Sequence, residues 1–170
     1  MPEVLIVSDS HGSTDELKAI KERHSPEFRI HCGDSELDMD APELDGFIKV
    51  AGNCDVDARF PDEQTSTIGS LSFFIAHGHL HQVKSNPMAI AYRAQELQAR
   101  VICFGHTHIA GAEKIGQQLL INPGSILLPR GRTEQTYVLM KWDTPDDISV
   151  DFFTADGNHL EELSLKTSLG

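Results

Sequence analysis

Five times along this sequence a short apolar run breaks into a turn that carries a carboxylate, an amide or an imidazole. Val4-Leu5-Ile6-Val7 runs into Ser8-Asp9-Ser10-His11, Phe28-Arg29-Ile30-His31 into Cys32-Gly33-Asp34, and Phe47-Ile48-Lys49-Val50 into Ala51-Gly52-Asn53-Cys54-Asp55. Phe73-Phe74-Ile75-Ala76 runs into His77-Gly78-His79, and Val101-Ile102-Cys103-Phe104 into Gly105-His106-Thr107-His108. Short apolar runs bounded by turn residues read as buried strands. Where strands run parallel, ligands bind beyond their carboxyl ends. A fold that aligns these five strands therefore collects their turns at one edge.

The remaining pattern supports such a fold. Ser13-Thr14-Asp15-Glu16 has the form of a capping box and predicts a helix with Leu17 and Ile20 on its buried face. With the strands at Val4 to Val7 and Phe28 to His31 it makes a parallel βαβ unit, and Phe47 to Val50 supplies a third strand. Gly69-Ser70 joins Thr65 to Ile68 with Leu71 to Ala76 as a hairpin turn does. Pro87 to Ala99 reads as a second helix, opened by proline and carrying Ile90, Ala94 and Leu97 on one face. Thr136 to Trp142, Ile148 to Thr154 and His159 to Leu165 read as strands, the last two joined through Asp156-Gly157-Asn158. The expectation is a parallel front half, an antiparallel back half and helices outside.

No linker, repeat or low-complexity tract divides the 170 residues, so one domain spanning 1–170 is expected. The net charge of −12 argues against a general nucleic-acid binder, which needs a cationic surplus. The longest unbroken apolar run, Met88 to Tyr92, is far short of a membrane span. The start, Met1-Pro2-Glu3-Val4, lacks the basic and apolar segments of a secretion signal, and the cysteines are only Cys32, Cys54 and Cys103. A reducing, cytoplasmic setting is the expectation.

Each turn alone would pass as local turn chemistry. Together they crowd carboxylates and imidazoles at one edge, where they repel unless cations neutralise them. Asp9, His11, Asp34, Asn53, His77, His106 and His108 are the candidate ligands, too many for one open catalytic ion and suited to two. Imidazole, carboxylate and amide oxygen suit manganese, iron, cobalt, nickel or zinc, with manganese the first expectation. The cysteine spacing of a structural zinc site is absent.

These five motifs, in this order, resemble the calcineurin-like metallophosphoesterase superfamily over Val4 to about Arg130. The small size and the Asn122-Pro123-Gly124-Ser125 segment are most similar to its short prokaryotic phosphodiesterase subgroup, whose structural relatives include the retromer scaffold subunit of eukaryotes. The resemblance implies an α/β fold of four layers, an α/β/β/α sandwich of two mixed β-sheets flanked by helices. It implies a first metal on Asp9, His11 and His108, a second on Asn53, His77 and His106, and Asp34 bridging them. It implies hydrolysis of a small phosphoester, with water activated for in-line attack on phosphorus. Asn53, His77 and His106 are then also the catalytic set, with His79 and Asp55 in orienting positions behind the ligands.

This chain departs from the wider superfamily at Cys54, where many members carry a histidine that assists the leaving group. Cys54 is accordingly either a weak catalytic candidate or a space-filling residue. Arg130 and Arg132 stand where they can steer an anionic substrate. His24, His31, His81 and His159 have no motif context and read as structural or solvated. The competing functions are a non-catalytic metal-binding scaffold of the same fold, and a phosphomonoesterase or dinucleoside-polyphosphate hydrolase. Intact ligands at His11, Asn53 and His106 favour an enzyme, with a homo-oligomer compatible with it.

Overall fold

The computed structural model describes residues 1–170. In chain order the elements are β1 (Glu3–Val7), α1 (Asp15–His24), β2 (Phe28–His31), β3 (Phe47–Lys49), β4 (Glu63–Ile68), β5 (Leu71–Ala76), α2 (Met88–Glu96), β6 (Val101–Cys103), β7 (Gly111–Ile115), β8 (Gln118–Asn122), β9 (Thr136–Trp142), β10 (Ile148–Thr154) and β11 (Leu165–Thr167). One sheet has the order β11-β10-β9-β1-β2-β3 and the other β4-β5-β6-β8-β7.

Alternation along the strands explains the layering. Val4 and Ile6 of β1, Ile30 of β2, Phe73 and Ile75 of β5, Val101 and Cys103 of β6, and Val138 and Met140 of β9 point inward and form the core between the sheets. The intervening residues point outward. Leu5, Val7, Tyr137 and Leu139 pack under Leu17 and Ile20 of α1, and Phe74, Ala76, Ile102 and Leu120 under Ile90, Ala91 and Ala94 of α2. Two mixed sheets face to face, each covered by a helix, give the expected four layers.

Register positions the turns. β1, β2 and β3 are parallel, with Val7 beside His31 and His31 beside Lys49. β5, β6 and β8 are also parallel, with Ile75, Cys103 and Ile121 in line. The segments that follow all five apolar runs therefore leave the sheets at aligned carboxyl ends.

Several expectations are corrected. The later part of the chain is not wholly antiparallel: β5, β6 and β8 run parallel, while β9 lies antiparallel against β1, on the side away from β2, and β10 and β11 extend that mixed sheet. No side-chain hydrogen bond caps α1, because Thr14 at its N-cap already has φ −97° and ψ −37°. Helix α2 stops at Glu96 and leaves Leu97 38% exposed. Gln98 turns left-handed at φ 58°, and Ala99 N donates to Ala94 O at 2.9 Å, a glycine-free version of the usual helix stop that buries Ala99 instead. His159 makes a single bridge to Phe153 rather than opening a strand, and the edge strand β11 begins only at Leu165. The β7–β8 hairpin through Gly116-Gln117 was not anticipated, since β7 (Gly-Ala-Glu-Lys-Ile) is a half-exposed edge with no apolar period. No helix is long and apolar enough to cross a membrane.

Candidate metal centre

The turns beyond β1, β2 and β6 adopt backbone that ordinary residues avoid. Asp9, His11, Asp34, His106 and His108 all have positive φ, between 44° and 69°. A left-handed non-glycine residue costs about 1 kcal/mol or more, so five in one place mark a site where geometry is held against local preference. Two glycines permit the close approach. A Cβ at Gly52 would collide with Asp34 Oδ1, and one at Gly105 with Ser8 Oγ and Asp9 Oδ2.

Asp9 is fully buried at the centre of the cluster. Its Oδ2 accepts from Ser8 Oγ at 2.5 Å and from His106 N at 3.1 Å. Its Oδ1 faces three imidazole nitrogens: His77 Nε2 at 2.9 Å, His108 Nε2 at 3.2 Å and His11 Nε2 at 3.7 Å. His108 Nδ1 donates to the Leu128 carbonyl at 2.6 Å, and His11 Nδ1 to Glu36 Oε2 at 3.2 Å. With the Nδ1 protons so committed, the neutral rings present lone pairs on Nε2, 3.2 Å from each other and facing a carboxylate oxygen. Acceptors aimed at acceptors require a proton or a cation between them. This donor set fits a divalent ion, with the hydrogen bonds behind each ring holding the productive tautomer.

Asp34 belongs to the same cluster. Its Oδ2 lies 3.3 Å from His77 Nε2, and its Oδ1 accepts from Cys54 N at 2.8 Å. Asp9, Asp34 and His77 form one potential ligand group and Asp9, His11 and His108 another, so Asp9 is the carboxylate common to both. Asp55 does not point into the cluster. It accepts from Gly52 N, Asp34 N and Glu36 N at 2.7, 2.8 and 2.8 Å, tying the turn after β3 to the turn after β2.

The electrostatics follow from this crowding. Burial disfavours the Asp9 carboxylate, but hydrogen bonds from His108 and His77 outweigh it and hold the pKa well below the usual range. Burial also works against protonated His77, yet Asp34 and Asp9 raise it to about 9. The Asp9 contact raises His108 as well. His106 is lowered to about 4 by burial and by the neighbouring His77, whose ring centroid is 5.0 Å away, and His79 is lowered for the same reasons. Burial and the charge of Asp34 push the Cys54 thiol up to about 11.

Not every anticipated residue joins the cluster. Asn53 is exposed, and its amide lies 3.7 Å from Cys54 Sγ. The His106 ring stands beside His77 and His79 with centroids 5.0 and 6.2 Å away, without a hydrogen bond of its own. His79 Nδ1 lies 3.2 Å from His77 Nδ1. Of the two arginines expected to steer substrate, Arg132 is bound to Glu134 and Glu162, which leaves Arg130, exposed and with its backbone N–H on the His108 carbonyl.

Other polar residues support the turns that carry the ligands. His31, buried and lowered to about 4 by that burial, accepts from Gly33 N and pairs with Ser10 Oγ at 2.8 Å. Ser125 Oγ donates to Asp9 O at 2.7 Å, and Asn122 Nδ2 to Gly105 O at 3.2 Å. From the sequence His31 reads only as structural or solvated, and Asn122 and Ser125 lie in the Asn122-Pro123-Gly124-Ser125 segment, whose particular contacts the residue types do not signal.

Two mixed sheets whose parallel strand ends converge on carboxylates and imidazoles define a class of metal-dependent phosphoesterases. The chain belongs to the calcineurin-like phosphoesterase superfamily, whose domain model matches residues 3–145. It is 46% identical over 168 residues to the probable metallophosphoesterase YsnB of Bacillus subtilis, covering 98% of this chain and 99% of that one. It is 31% identical over 104 residues to the phosphodiesterase YfcE of Escherichia coli, covering 56% and 53%. A predicted phosphoesterase from Streptococcus pneumoniae superposes with a TM-score of 0.92 at 34% identity, over 98% and 97% of the two chains. Vacuolar protein sorting 29 from Cryptosporidium parvum, at 16% identity and TM-score 0.79 over 98% of each chain, shares the fold.

Proposed function

We propose that this protein hydrolyses phosphodiesters by in-line attack of water on phosphorus, at a centre of two divalent ions. The observation that supports this most strongly is the convergence of His11, His77 and His108 on one oxygen of buried Asp9. In this reading Asp9, His11 and His108 hold one ion, Asn53, His77 and His106 the other, Asp34 reaches both, and Asp9, through its Oδ1 beside His77, ties the two together. Bound divalent ions make a nucleophile available at neutral pH and neutralise the phosphoryl oxygens.

The chain's own residues supply geometry and charge. Asp9 and Asp34 are fixed by backbone and hydroxyl donors, so their oxygens need no reorganisation. His106 stays unprotonated near neutrality and offers a free nitrogen at the exposed side. Arg130 sits at the His108 side, where it orients an anionic substrate. A diester preference draws on the similarity to YfcE.

The test is hydrolysis of an activated aryl phosphodiester and its matching monoester by metal-stripped protein, with each first-row ion added back. Manganese is expected to restore diester hydrolysis, and His106→Ala to abolish it. Faster monoester turnover would refute the diester preference. No turnover with any ion would make the fold a binding scaffold.

A further inference from the structure

At the rim of the centre lies a second set of ligand-bearing side chains. His11, Glu36 and Cys54 each bring one ligand atom to a common point, all within 4.8 Å of one another. Each comes from a turn pinned by a backbone hydrogen bond. His11 N donates to Asp34 O at 2.9 Å, Glu36 N to Asp55 Oδ1 at 2.8 Å, and Cys54 N to Asp34 Oδ1 at 2.8 Å. His11 and Glu36 hold left-handed backbone, φ 44° and 57°. Strained, fixed backbone that aims an imidazole, a carboxylate and a thiol at one point is unlike a solvated acidic patch, whose side chains diverge.

The donor chemistry specifies the ligand. Nitrogen, sulfur and carboxylate oxygen together suit a borderline ion such as zinc or cobalt far better than magnesium or calcium. Three protein ligands leave a position for water, and Glu36 and Cys54 are exposed, so the point is open to solvent. We propose that His11, Glu36 and Cys54 form a further site for a zinc-class divalent cation, weaker than the two-ion centre and sharing His11 with it. Binding releases the Cys54 thiol proton to solvent, and the thiolate bonds the ion; the His11 proton moves from Nδ1 to Nε2 when Nε2 is free, or leaves to solvent when Nε2 holds the first ion, so that Nδ1 bonds the ion as imidazole or as bridging imidazolate.

The shared histidine gives the site a consequence, which rests on the two-ion reading above although the site itself does not. Its Nε2 faces Asp9 and its Nδ1 faces Glu36, at 3.7 and 3.2 Å. A cation on the Glu36 side draws on the imidazole that serves the first ion and sits across the approach to it. Zinc in excess therefore slows hydrolysis.

The test is titration of the metal-stripped, thiol-reduced full chain with cobalt, read by the near-ultraviolet sulfur-to-cobalt charge-transfer band. Cys32 and Cys103 are buried, so a band reports Cys54. The band is expected to appear only after two equivalents have bound, to saturate with a third, and to vanish in Cys54→Ser. Glu36→Gln should weaken the third equivalent by about tenfold or more. Two bound equivalents with no band at any cobalt concentration would overturn the proposal. So would a Glu36→Gln variant that keeps the full band but loses the first two equivalents, since Glu36 would then serve only to orient His11. A band saturating with the first equivalent would also overturn the proposal, because the Cys54 site would then bind more tightly than the centre it is proposed to be weaker than.

Discussion

His108 and His77 approach the same oxygen, Asp9 Oδ1, at 3.2 and 2.9 Å, from differently built halves of the site. On the His108 side each ring is anchored from behind, His108 by the Leu128 carbonyl and His11 by Glu36. On the His77 side the anchoring is poor. Behind His77 stands only another imidazole, His79, the His106 ring has no hydrogen bond, and Asn53 is exposed. Outer hydrogen bonds that fix a ligand's tautomer and direction are worth about 10–100-fold in metal affinity. On the proposed two-ion reading, the anchored half is preorganised for its ion and the open half is completed only when ion and substrate arrive. Two ions of unequal affinity are then expected, the tighter one beside His108.

Asp9→Asn should have the largest effect, because Asp9 Oδ1 belongs to both halves. Loss of both ions and a fall in hydrolysis of about a hundredfold or more is expected, checked by metal analysis and initial rates. The two halves separate next. His106→Ala should keep the ion beside His108 and lose the other, whereas His108→Ala should weaken the tighter ion. Equal ion loss in the two variants would remove the asymmetry.

Proton release sharpens the comparison further. His77 is raised from 6.5 to about 9, so it is protonated near neutrality and an ion must displace that proton. Apparent affinity on the His77 side should rise by up to about tenfold per pH unit until about pH 9, as calorimetry in buffers of different ionisation enthalpy can measure. The sign for stability is opposite. A raised His77 stabilises the metal-stripped fold fully below about pH 6.5, and that contribution declines as pH climbs through about 9. Asn53→Ala, at the exposed end, should have the smallest effect, about tenfold weaker binding of the looser ion with the tighter one unmoved.

Much of this arrangement was legible before any coordinates. Apolar runs and the turns that end them placed five of the strands, because strands buried on both faces read as continuous hydrophobic segments. The same turns carried Asp9, His11, Asp34, His77 and His108, which the fold brings together. What stayed hidden has physical reasons. Strand β7 is half exposed and has no period to read. The return of β9 to the first sheet is a long-range pairing with Leu5 opposite Leu139, which no local pattern encodes. Glu36 belongs to none of the five motifs, and its place beside His11 depends on a left-handed φ and an Asp55 contact visible only in three dimensions. The halves differ chiefly in what stands behind each imidazole, and a backbone carbonyl such as that of Leu128 leaves no trace in residue identity.

In the proposed two-ion centre, Asp9 is the carboxylate that both potential ligand groups share. The most direct test of that centre is equilibrium dialysis of the metal-stripped chain against manganese, which has little affinity for thiolate, followed by elemental analysis. Two retained ions of unequal affinity are expected in the wild type, one in His106→Ala and none in Asp9→Asn. A wild-type chain that retains a single ion, or an Asp9→Asn chain that still retains two, would contradict the proposed centre.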